Sequence, residues 1–319
     1  MNTINKILLS TTILIITIAA NAQQDAMYTH YMHNTLAVNP AYAGTRDALT
    51  MTALGRKQWA GFTGAPTSIT GTVHMPVGEK LGLGLSFIND QIGPVKNNQI
   101  YADLAYHIKL SSKAKLSFGI KGGVNLWSAN LGILNTGNTT EVDPSQYNYN
   151  INNRLTPNVG AGVYYHRERF YLGVSVPKLL RNQIGTTSIT SPNGTVNSNL
   201  LTEEFHWFAI VGTVFNLSQS VKLKPTALLK ATAAAPLEGD ITGIFIFNDK
   251  FNLGAMYRTG DALGALIGLN LNQQLYVGYS FDWSFVNNTA KYNNGSHEIM
   301  LRYDLIFNNT PQIKSPRYF

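Results

Sequence analysis

Two short groups of residues could in principle do chemistry. His30 and His33 have the spacing that places two imidazoles on one face of a helix, where they could bind a metal ion. Metal sites of this type need three or four ligands, and only Asp25 lies nearby in the sequence. Ser296 and His297 are adjacent, and adjacent residues of a strand point to opposite faces, so they do not form a nucleophile and its base.

The sequence carries no other signature of catalysis or of a cofactor. It contains no P-loop, no dinucleotide-binding fingerprint and no H-E-x-x-H motif. None of its 319 residues is cysteine, which excludes a disulfide scaffold, a zinc ribbon and a thiol nucleophile. We therefore predict a protein that is not an enzyme and that binds no metal and no cofactor.

The composition narrows the class of protein further. Charged residues make up 13% of the chain, about half the share that is usual in soluble globular proteins. The net charge of +7 could suggest a nucleic-acid partner, but the basic residues are scattered and the longest run is Arg56-Lys57. No nucleic-acid-binding motif accompanies them, so we expect no nucleic-acid partner.

The first 22 residues are typical of a secretory signal peptide. Lys6 provides a positive charge, residues 7–20 are apolar, and Ala20-Asn21-Ala22 matches the small-residue cleavage motif. The expected cut lies between Ala22 and Gln23. A 14-residue apolar run is shorter than the about 20 residues that span a bilayer, and no later stretch reaches even 18 residues. The exported protein is therefore either soluble outside the cytoplasm or a transmembrane β-barrel.

From residue 48 onward, segments with alternating apolar residues are separated by turn signals, a pattern that predicts β-strands. In 114–127, for example, Leu116, Phe118 and Ile120 share one face, and Lys115 and Ser117 lie on the other. We predict fourteen strands, an even number as in bacterial outer-membrane barrels: 49–60, 66–76, 80–90, 98–110, 114–128, 156–166, 169–177, 203–217, 221–231, 237–248, 250–259, 262–272, 274–285 and 296–307.

The predicted loops alternate in length along the chain. Every second connection is a short turn, whereas the others include the long polar segments 91–97, 129–155, 178–202 and 286–295. Short periplasmic turns and longer external loops are characteristic of outer-membrane barrels. We therefore predict an all-β protein that forms a transmembrane antiparallel β-barrel of about 14 strands in the outer membrane. The alternative interpretation is a soluble β-protein.

The chain divides into four parts: a signal peptide (1–22), an N-terminal segment (23–47), the barrel (48–307) and a C-terminal tail (308–319). The N-terminal segment is rich in Tyr, Met and His, and it is long enough to enter the lumen as a plug. Its densest motif comprises Asn39, Pro40, Ala41, Tyr42 and Gly44. The alternative is a loose periplasmic tail, because chain termini are often disordered.

Short motifs in a fixed order resemble the PorP/SprF family along nearly the whole chain. They include Asn39-Pro40-Ala41-Tyr42-Ala43-Gly44, Trp59-Ala60-Gly61 and Asn89-Asp90-Gln91-Ile92-Gly93. The sequence has Asp25-Ala26-Met27 where many relatives have a proline. Within these and the remaining motifs, the residues that carry the resemblance outside the N-terminal segment are Trp59, Gly64, Pro66, Asp90, Gly93, Pro177, Gly295, His297, Glu298, Pro316, Arg317 and Phe319.

The resemblance implies an outer-membrane protein of the type IX secretion system of Bacteroidetes. Such a protein would help to export or anchor cargo that has a C-terminal signal domain, including gliding-motility adhesins in some members. Its partners would be that cargo, other secretion components in the periplasm and outer membrane, and the lipid bilayer. The family implies no catalytic residues. The alternatives are a passive outer-membrane channel or hydrophobic-ligand transporter, and a barrel enzyme.

The two longest predicted loops, 129–155 and 178–202, are the candidate cargo-contact surfaces. They are polar, but they also contain apolar residues that a fully solvated loop would not need, and apolar anchors with a polar rim are typical of contact surfaces. These residues are Leu131, Ile133, Leu134, Leu200 and Leu201. The alternative is that they pack the loops onto the barrel mouth.

Overall fold

A computed structural model describes residues 27–130, 150–191, 194–232, 235–285 and 294–306. The strands, in chain order, are β1 Leu49–Lys57, β2 Thr67–Val77, β3 Leu81–Ile92, β4 Val95–Lys109, β5 Ala114–Asn130, β6 Asn150–Arg167, β7 Phe170–Val176, β8 Gln183–Ser191, β9 Gly194–Thr202, β10 His206–Thr213, β11 Phe215–Asn216, β12 Val221–Thr232, β13 Glu238–Phe247, β14 Phe251–Arg258, β15 Ala262–Asn270, β16 Leu275–Ser284 and β17 Ser296–Leu305.

The main sheet is a closed antiparallel barrel of fourteen strands. Strands β1 to β7 pair in sequence order, and so do β12 to β17. Strand β10 joins these two halves, because it pairs with both β7 and β12. The pairing of β1 with β17 then closes the ring. The two-residue strand β11 continues β10 along β12. Each of the fourteen predicted strands is therefore confirmed, with ends that differ by a few residues.

The alternation along each strand separates an apolar outer face from a polar inner face. In β17, Ile299 and Leu301 are about half exposed, whereas Glu298, Arg302 and Asp304 are buried. Because adjacent strand residues point to opposite faces, all the outward positions form one apolar belt. Such a belt is suited to lipid, and the polar inner face is suited to a barrel interior.

The connections follow the predicted difference in length with one exception. The predicted long loop 91–97 is wrong, because β3 and β4 pair as far as Ile92 with Val95 and leave only residues 93 and 94 between the strands. The turns at the end where β1 begins are short, as at residues 78–80 between β2 and β3. In the turn between β13 and β14, Asn248 and Asp249 both have positive φ, which these two residue types tolerate better than most others. The opposite end of the barrel, where the longer connections lie, is called the long-loop rim below.

One predicted loop contains strands that the sequence pattern did not reveal. Within 178–202, β8 and β9 pair as a separate two-stranded sheet. Their sequences are dominated by Thr, Ser and Asn and lack an apolar–polar alternation, so periodicity gave no signal. β6 also begins at Asn150, six residues before the predicted start, and residues 131–149 between β5 and β6 lie outside the described ranges.

The largest buried cluster lies inside the barrel rather than between two sheets. It combines residues of the N-terminal segment with inward-facing residues of the wall. The segment contributes Tyr31, Met32, Leu36, Ala41, Tyr42 and Ala43, and the wall contributes Ala105, Tyr164, Tyr171, Phe208, Ile210, Leu228, Ile244 and Ile246. No helix in the described ranges has the length and hydropathy of a membrane span.

Candidate functional site inside the barrel

Residues 27–47 lie within the ring of strands. Nearly all residues from 28 to 44 are buried. Thr29 contacts β16 and β17, whereas the Nδ2 of Asn39 donates a hydrogen bond to the carbonyl of Val163 in β6, which is seven strands from β16 and six from β17 around the fourteen-strand ring. A segment that reaches opposite walls in this way crosses the interior. This interior is the candidate functional site, and residues 27–47 are called the inner segment below.

A buried group of charges holds the start of the inner segment. The Oε1 of Glu298 accepts hydrogen bonds from the backbone N–H of His30 at 2.8 Å and from its Nδ1 at 2.7 Å, and Oε2 accepts from the backbone N–H of Thr29 at 2.9 Å. Arg56 lies 3.2 Å from Glu298 and 2.8 Å from Asp282. Two carboxylates and one guanidinium from β1, β16 and β17 thus bind two consecutive residues of the segment.

Tyrosines fix the middle of the inner segment. The hydroxyl of Tyr31 lies 2.9 Å from the hydroxyl of Thr226 on β12, and burial raises the pKa of Tyr31 to about 12. The ring of Tyr42 packs edge-on against Tyr164 at 5.4 Å and against His74 at 5.2 Å. Edge-to-face aromatic pairs of this kind contribute about 0.5–1.5 kcal/mol beyond the area that they bury.

Two wall glycines allow the inner segment to approach the strands closely. A Cβ atom at Gly119 would lie 2.2 Å from the backbone nitrogen of Ala41, and one at Gly82 would lie 2.0 Å from the carbonyl oxygen of Ala43. Any side chain at either position would displace backbone atoms. The wall and the segment are therefore fitted to each other at β5 and at β3.

A second buried ion pair holds the end of the inner segment. Arg46 binds Asp304 with two hydrogen bonds, 2.7 Å from Nη2 and 3.2 Å from Nε, and the hydroxyl of Thr50 donates to the same carboxylate. Burial opposes the charge of Arg46, but Asp304 outweighs it and raises the pKa of Arg46. The neighbouring His33 is 3.3 Å from Arg302, and burial, reinforced by the positive charges of Lys224 and Arg302, lowers its pKa well below the ordinary value.

The inner segment runs from the long-loop half of the barrel to the opposite end. Arg56 and Glu298, which hold its start, lie near the strand ends at the long-loop rim. Asp47, at its end, is 3.2 Å from Lys115 beside the short turn between β4 and β5. In an outer-membrane barrel the short turns face the periplasm, so the segment approaches β1 from the periplasmic side.

The residues of the predicted plug motif shape the segment itself. Asn39 caps a short 3-10 helix, Pro40–Tyr42, because its Oδ1 accepts a hydrogen bond from the backbone N–H of Ala41 at 3.0 Å. Pro40 is the first residue of that helix, where its missing N–H costs nothing. Gly44 has a φ of +74° and lies against the backbone of Gly82, so this position requires glycine.

A cavity remains between the inner segment and the long-loop rim. Its polar wall is organised by Glu203, which accepts hydrogen bonds from Trp127 Nε1 at 2.9 Å and from Asn182 Nδ2 at 2.6 Å. Asn125, Thr156 and Asn158 also donate to this carboxylate. Other residues that line the cavity are Tyr28, Tyr101, Lys121, Pro177, Lys178 and Phe208. Sequence reasoning missed Glu203, because no spacing motif links it to its donors.

Most of the described family-motif residues meet at the long-loop rim. The backbone N–H of Trp59, which has a φ of +49°, donates to the hydroxyl of Ser296 at 3.2 Å, and Ala60 N–H donates to the carbonyl of Gly295 at 2.7 Å. Further contacts join Gly93 to Gly64, Gln58 to Pro66, and Ser68 to Asp90. His297 is bonded to Tyr279 at 2.8 Å. Pro177 lies apart from this group, beside Gly160.

Several predicted site residues fall outside the described ranges. These are the cleavage-site residues Ala22 and Gln23, the loop residues Leu131, Ile133 and Leu134, and the tail residues Pro316, Arg317 and Phe319. The backbone of Leu200 and Leu201 belongs to β9. Their roles in cleavage and in cargo contact therefore stay predictions.

The two histidines with metal-ligand spacing point to different partners. Their ring centroids are 6.1 Å apart, with His30 bonded to Glu298 and His33 close to Arg302 and Tyr276. Within the described ranges, no group of three or more His, Cys, Asp or Glu residues has a geometry that could hold a metal ion. The arrangement supports a role in packing the inner segment.

A closed barrel with an apolar outer belt, short turns at one end and long loops at the other is an outer-membrane β-barrel. The protein belongs to the PorP/SprF family of type IX secretion system membrane proteins, whose family model matches residues 20–303. It is thus a membrane component of that secretion system, located in the outer membrane, and it interacts in general with cargo and with other secretion components. The family and the fold are those of a secretion or transport protein rather than an enzyme.

Two solved structures are similar to this chain in shape although their sequences are very different. The toluene transporter TbuX of Ralstonia pickettii is 10% identical, with a TM-score of 0.48, and the match covers 86% of this chain and 93% of that one. The outer membrane protein Omp33 of Acinetobacter baumannii is 9% identical, with a TM-score of 0.44 over 82% of this chain and all of that one. No curated protein matches the sequence.

Proposed function

We propose that the protein anchors or helps to export cargo at the cell surface, and that the long-loop rim receives the C-terminal signal domain of that cargo. The observation that carries this proposal is the filled interior. Because the chain's own residues 28–44 are buried inside the barrel, the lumen offers little room for a passing protein. The rim and its loops are then the surface available to a large partner on the outside.

The long connections supply this proposed contact surface. The hairpin of β8 and β9 is a separate sheet rather than part of the barrel wall, so it adds backbone surface at the rim. The connection 131–149 follows β5. Near the end of that strand, Trp127 and Ala129 belong to a small apolar cluster with Ile151 and Ile184. This cluster gives both long connections a firm base, as a contact surface built on loops requires.

We further propose that the inner segment closes the lumen. The two buried ion-pair groups, at Glu298 and at Asp304, hold its start and its end, and wall glycines hold its middle. A passive channel or hydrophobic-ligand transporter would instead need the segment to leave or to shift. Deleting 28–44 should raise the single-channel conductance in planar bilayers. Unchanged conductance of a correctly folded deletion variant would reject closure by the segment.

The cargo proposal is tested by replacing 132–148 with a short Gly/Ser linker, which leaves β5 and β6 intact. The barrel should still show heat-modifiable migration, but its cargo should appear in the medium instead of on the cell surface. Replacing 286–293 in the same way is the matched control, since it also shortens a long connection and should retain more cargo. Full surface retention by the first variant, in a strain without related barrels, would contradict docking at this loop.

A further inference from the structure

The short-turn rim carries an excess of positive charge. Eight basic residues lie there, Lys80, Lys109, Lys113, Lys115, Arg167, Arg169, Lys222 and Lys250, against the four acidic residues Asp47, Glu79, Glu168 and Asp249. Three of the acids are already paired, with Lys113, Lys115 and Lys222. Five exposed basic side chains, Lys80, Lys109, Arg167, Arg169 and Lys250, make no ion pair within the described ranges.

The opposite rim has no such excess. Its described basic residues are Lys57, Lys96, Arg154, Lys178, Arg181 and Lys230, and its described acidic residues are Asp90, Glu203, Glu204, Glu238 and Asp261. The basic residues exceed the acidic ones by only one, and the pairs Arg181–Glu204 and Lys230–Glu238 are 3.0 Å and 3.4 Å apart. The excess at the short-turn rim is therefore a local feature and not a general consequence of the chain's net charge.

Exposed apolar side chains accompany the unpaired basic residues. Leu81 follows Lys80, Leu110 follows Lys109, and Phe251 follows Lys250, and these apolar residues are 39%, 55% and 42% exposed. A cation beside an apolar residue at the edge of a membrane-spanning belt is suited to the boundary between acyl chains and headgroups. A water-facing docking surface for an acidic protein would not need the apolar half of each pair.

We propose that the short-turn rim binds anionic phospholipid headgroups of the leaflet that faces the periplasm. The apolar residues lie at the level of the acyl chains, and the ammonium and guanidinium groups reach the phosphates. A basic side chain near an anionic membrane surface favours binding by about fivefold. Several such groups around one rim would gather a shell of anionic lipid and fix the depth of the barrel in the bilayer.

The test uses the full-length protein in bilayers of equal parts phosphatidylcholine and phosphatidylglycerol. After mild detergent extraction, the retained lipids are counted by mass spectrometry. The wild type should retain phosphatidylglycerol at several times the amount of phosphatidylcholine, and salt should weaken this preference because it screens charge. The triple variant Lys109→Gln/Arg167→Gln/Lys250→Gln should show a much smaller preference, because only Lys80 and Arg169 remain unpaired in the described part of the rim.

The matched control is Lys57→Gln/Lys96→Gln/Arg154→Gln, which removes three exposed charges from the long-loop rim and should keep the wild-type preference. If the first triple variant fails to give a heat-modifiable band, the single variants Lys109→Gln and Lys250→Gln should each lower the preference in part. Equal retention of the two lipids by the wild type would overturn the proposal and would leave an acidic protein as the partner. An undiminished preference in the folded rim variants would overturn it as well.

Discussion

Single residues decide how firmly the inner segment is held. Glu298 alone accepts three hydrogen bonds from Thr29 and His30 while it pairs with Arg56, and all four residues are buried. Removing this carboxylate is costly because three buried donors lose a charged acceptor, although Arg56 still pairs with Asp282. The sequence resemblance singled out Glu298, but only the fold identifies what it binds.

Replacing Glu298 with Gln should therefore destabilise the folded barrel by about 1.5–3 kcal/mol, since one charged acceptor becomes neutral while Arg56 keeps its second partner, Asp282. The measurement is the temperature at which the heat-modifiable band is lost in gels. Glu79→Gln is the control, because Glu79 is exposed in a short turn. Equal transition temperatures for the two variants would show that the buried carboxylate does not hold the segment.

His33 makes the free energy of unfolding of the barrel depend on pH. Its pKa is well below the ordinary 6.5 in the folded state, so below pH 6.5 the unfolded chain takes up a proton that the folded protein excludes. Stability contributed by the neutral imidazole is present above pH 6.5 and is lost as the pH falls, by up to about 1.4 kcal/mol per pH unit.

The variant His33→Gln should remove this one-proton contribution to the slope of stability against pH below 6.5. Denaturant titrations at several pH values measure the slope, with His297→Gln at the long-loop rim as the control. A slope that is the same in the wild type and in His33→Gln would mean that His33 is not excluded from protonation by the fold.

At the scale of the element, strand and segment are fitted to each other through glycine. Gly119 on β5 and Gly55 on β1 are both strand glycines, yet a Cβ at Gly119 would meet the backbone of Ala41, whereas one at Gly55 would meet nothing within 4 Å. The difference follows from the face: Gly119 points inward to the segment, and Gly55 points outward to lipid. Sequence alone shows two similar glycines.

The substitution Gly119→Val should accordingly push residues 39–43 away from the wall, while Gly55→Val should be tolerated. Limited proteolysis within the inner segment and single-channel conductance should both increase in the first variant only. If Gly119→Val leaves both properties as in the wild type while the barrel folds, the close approach of the segment to β5 would be contradicted.

The whole molecule has two unlike ends and one orientation in the membrane. Because the chain contains no cysteine, its orientation in the membrane can be measured with single introduced cysteines. Phe62→Cys, in the exposed connection between β1 and β2, should react with a membrane-impermeant maleimide on intact cells. Ser112→Cys, in the short turn between β4 and β5, should react only after the outer membrane is permeabilised. The reverse result would invert the barrel.

The sequence by itself determined the wall of this protein. The alternation of apolar and polar residues fixes each strand, because a pleated strand must turn one face to lipid and the other inward. The same alternation, interrupted by turn signals, gave the number and order of the fourteen barrel strands, and the difference in loop length favoured a membrane barrel. The hairpin of β8 and β9 could not, since its polar sequence lacks the contrast on which the pattern depends.

Only the tertiary structure decided what lies inside the wall. The partners in the interior are far apart in the chain: 268 residues separate His30 from Glu298, and 258 separate Arg46 from Asp304. No local pattern can encode such pairs, because they arise from closure of the ring, which brings β1 beside β17 and surrounds the inner segment. Periodicity shows which residues point inward, whereas the path of the segment decides which of them meet.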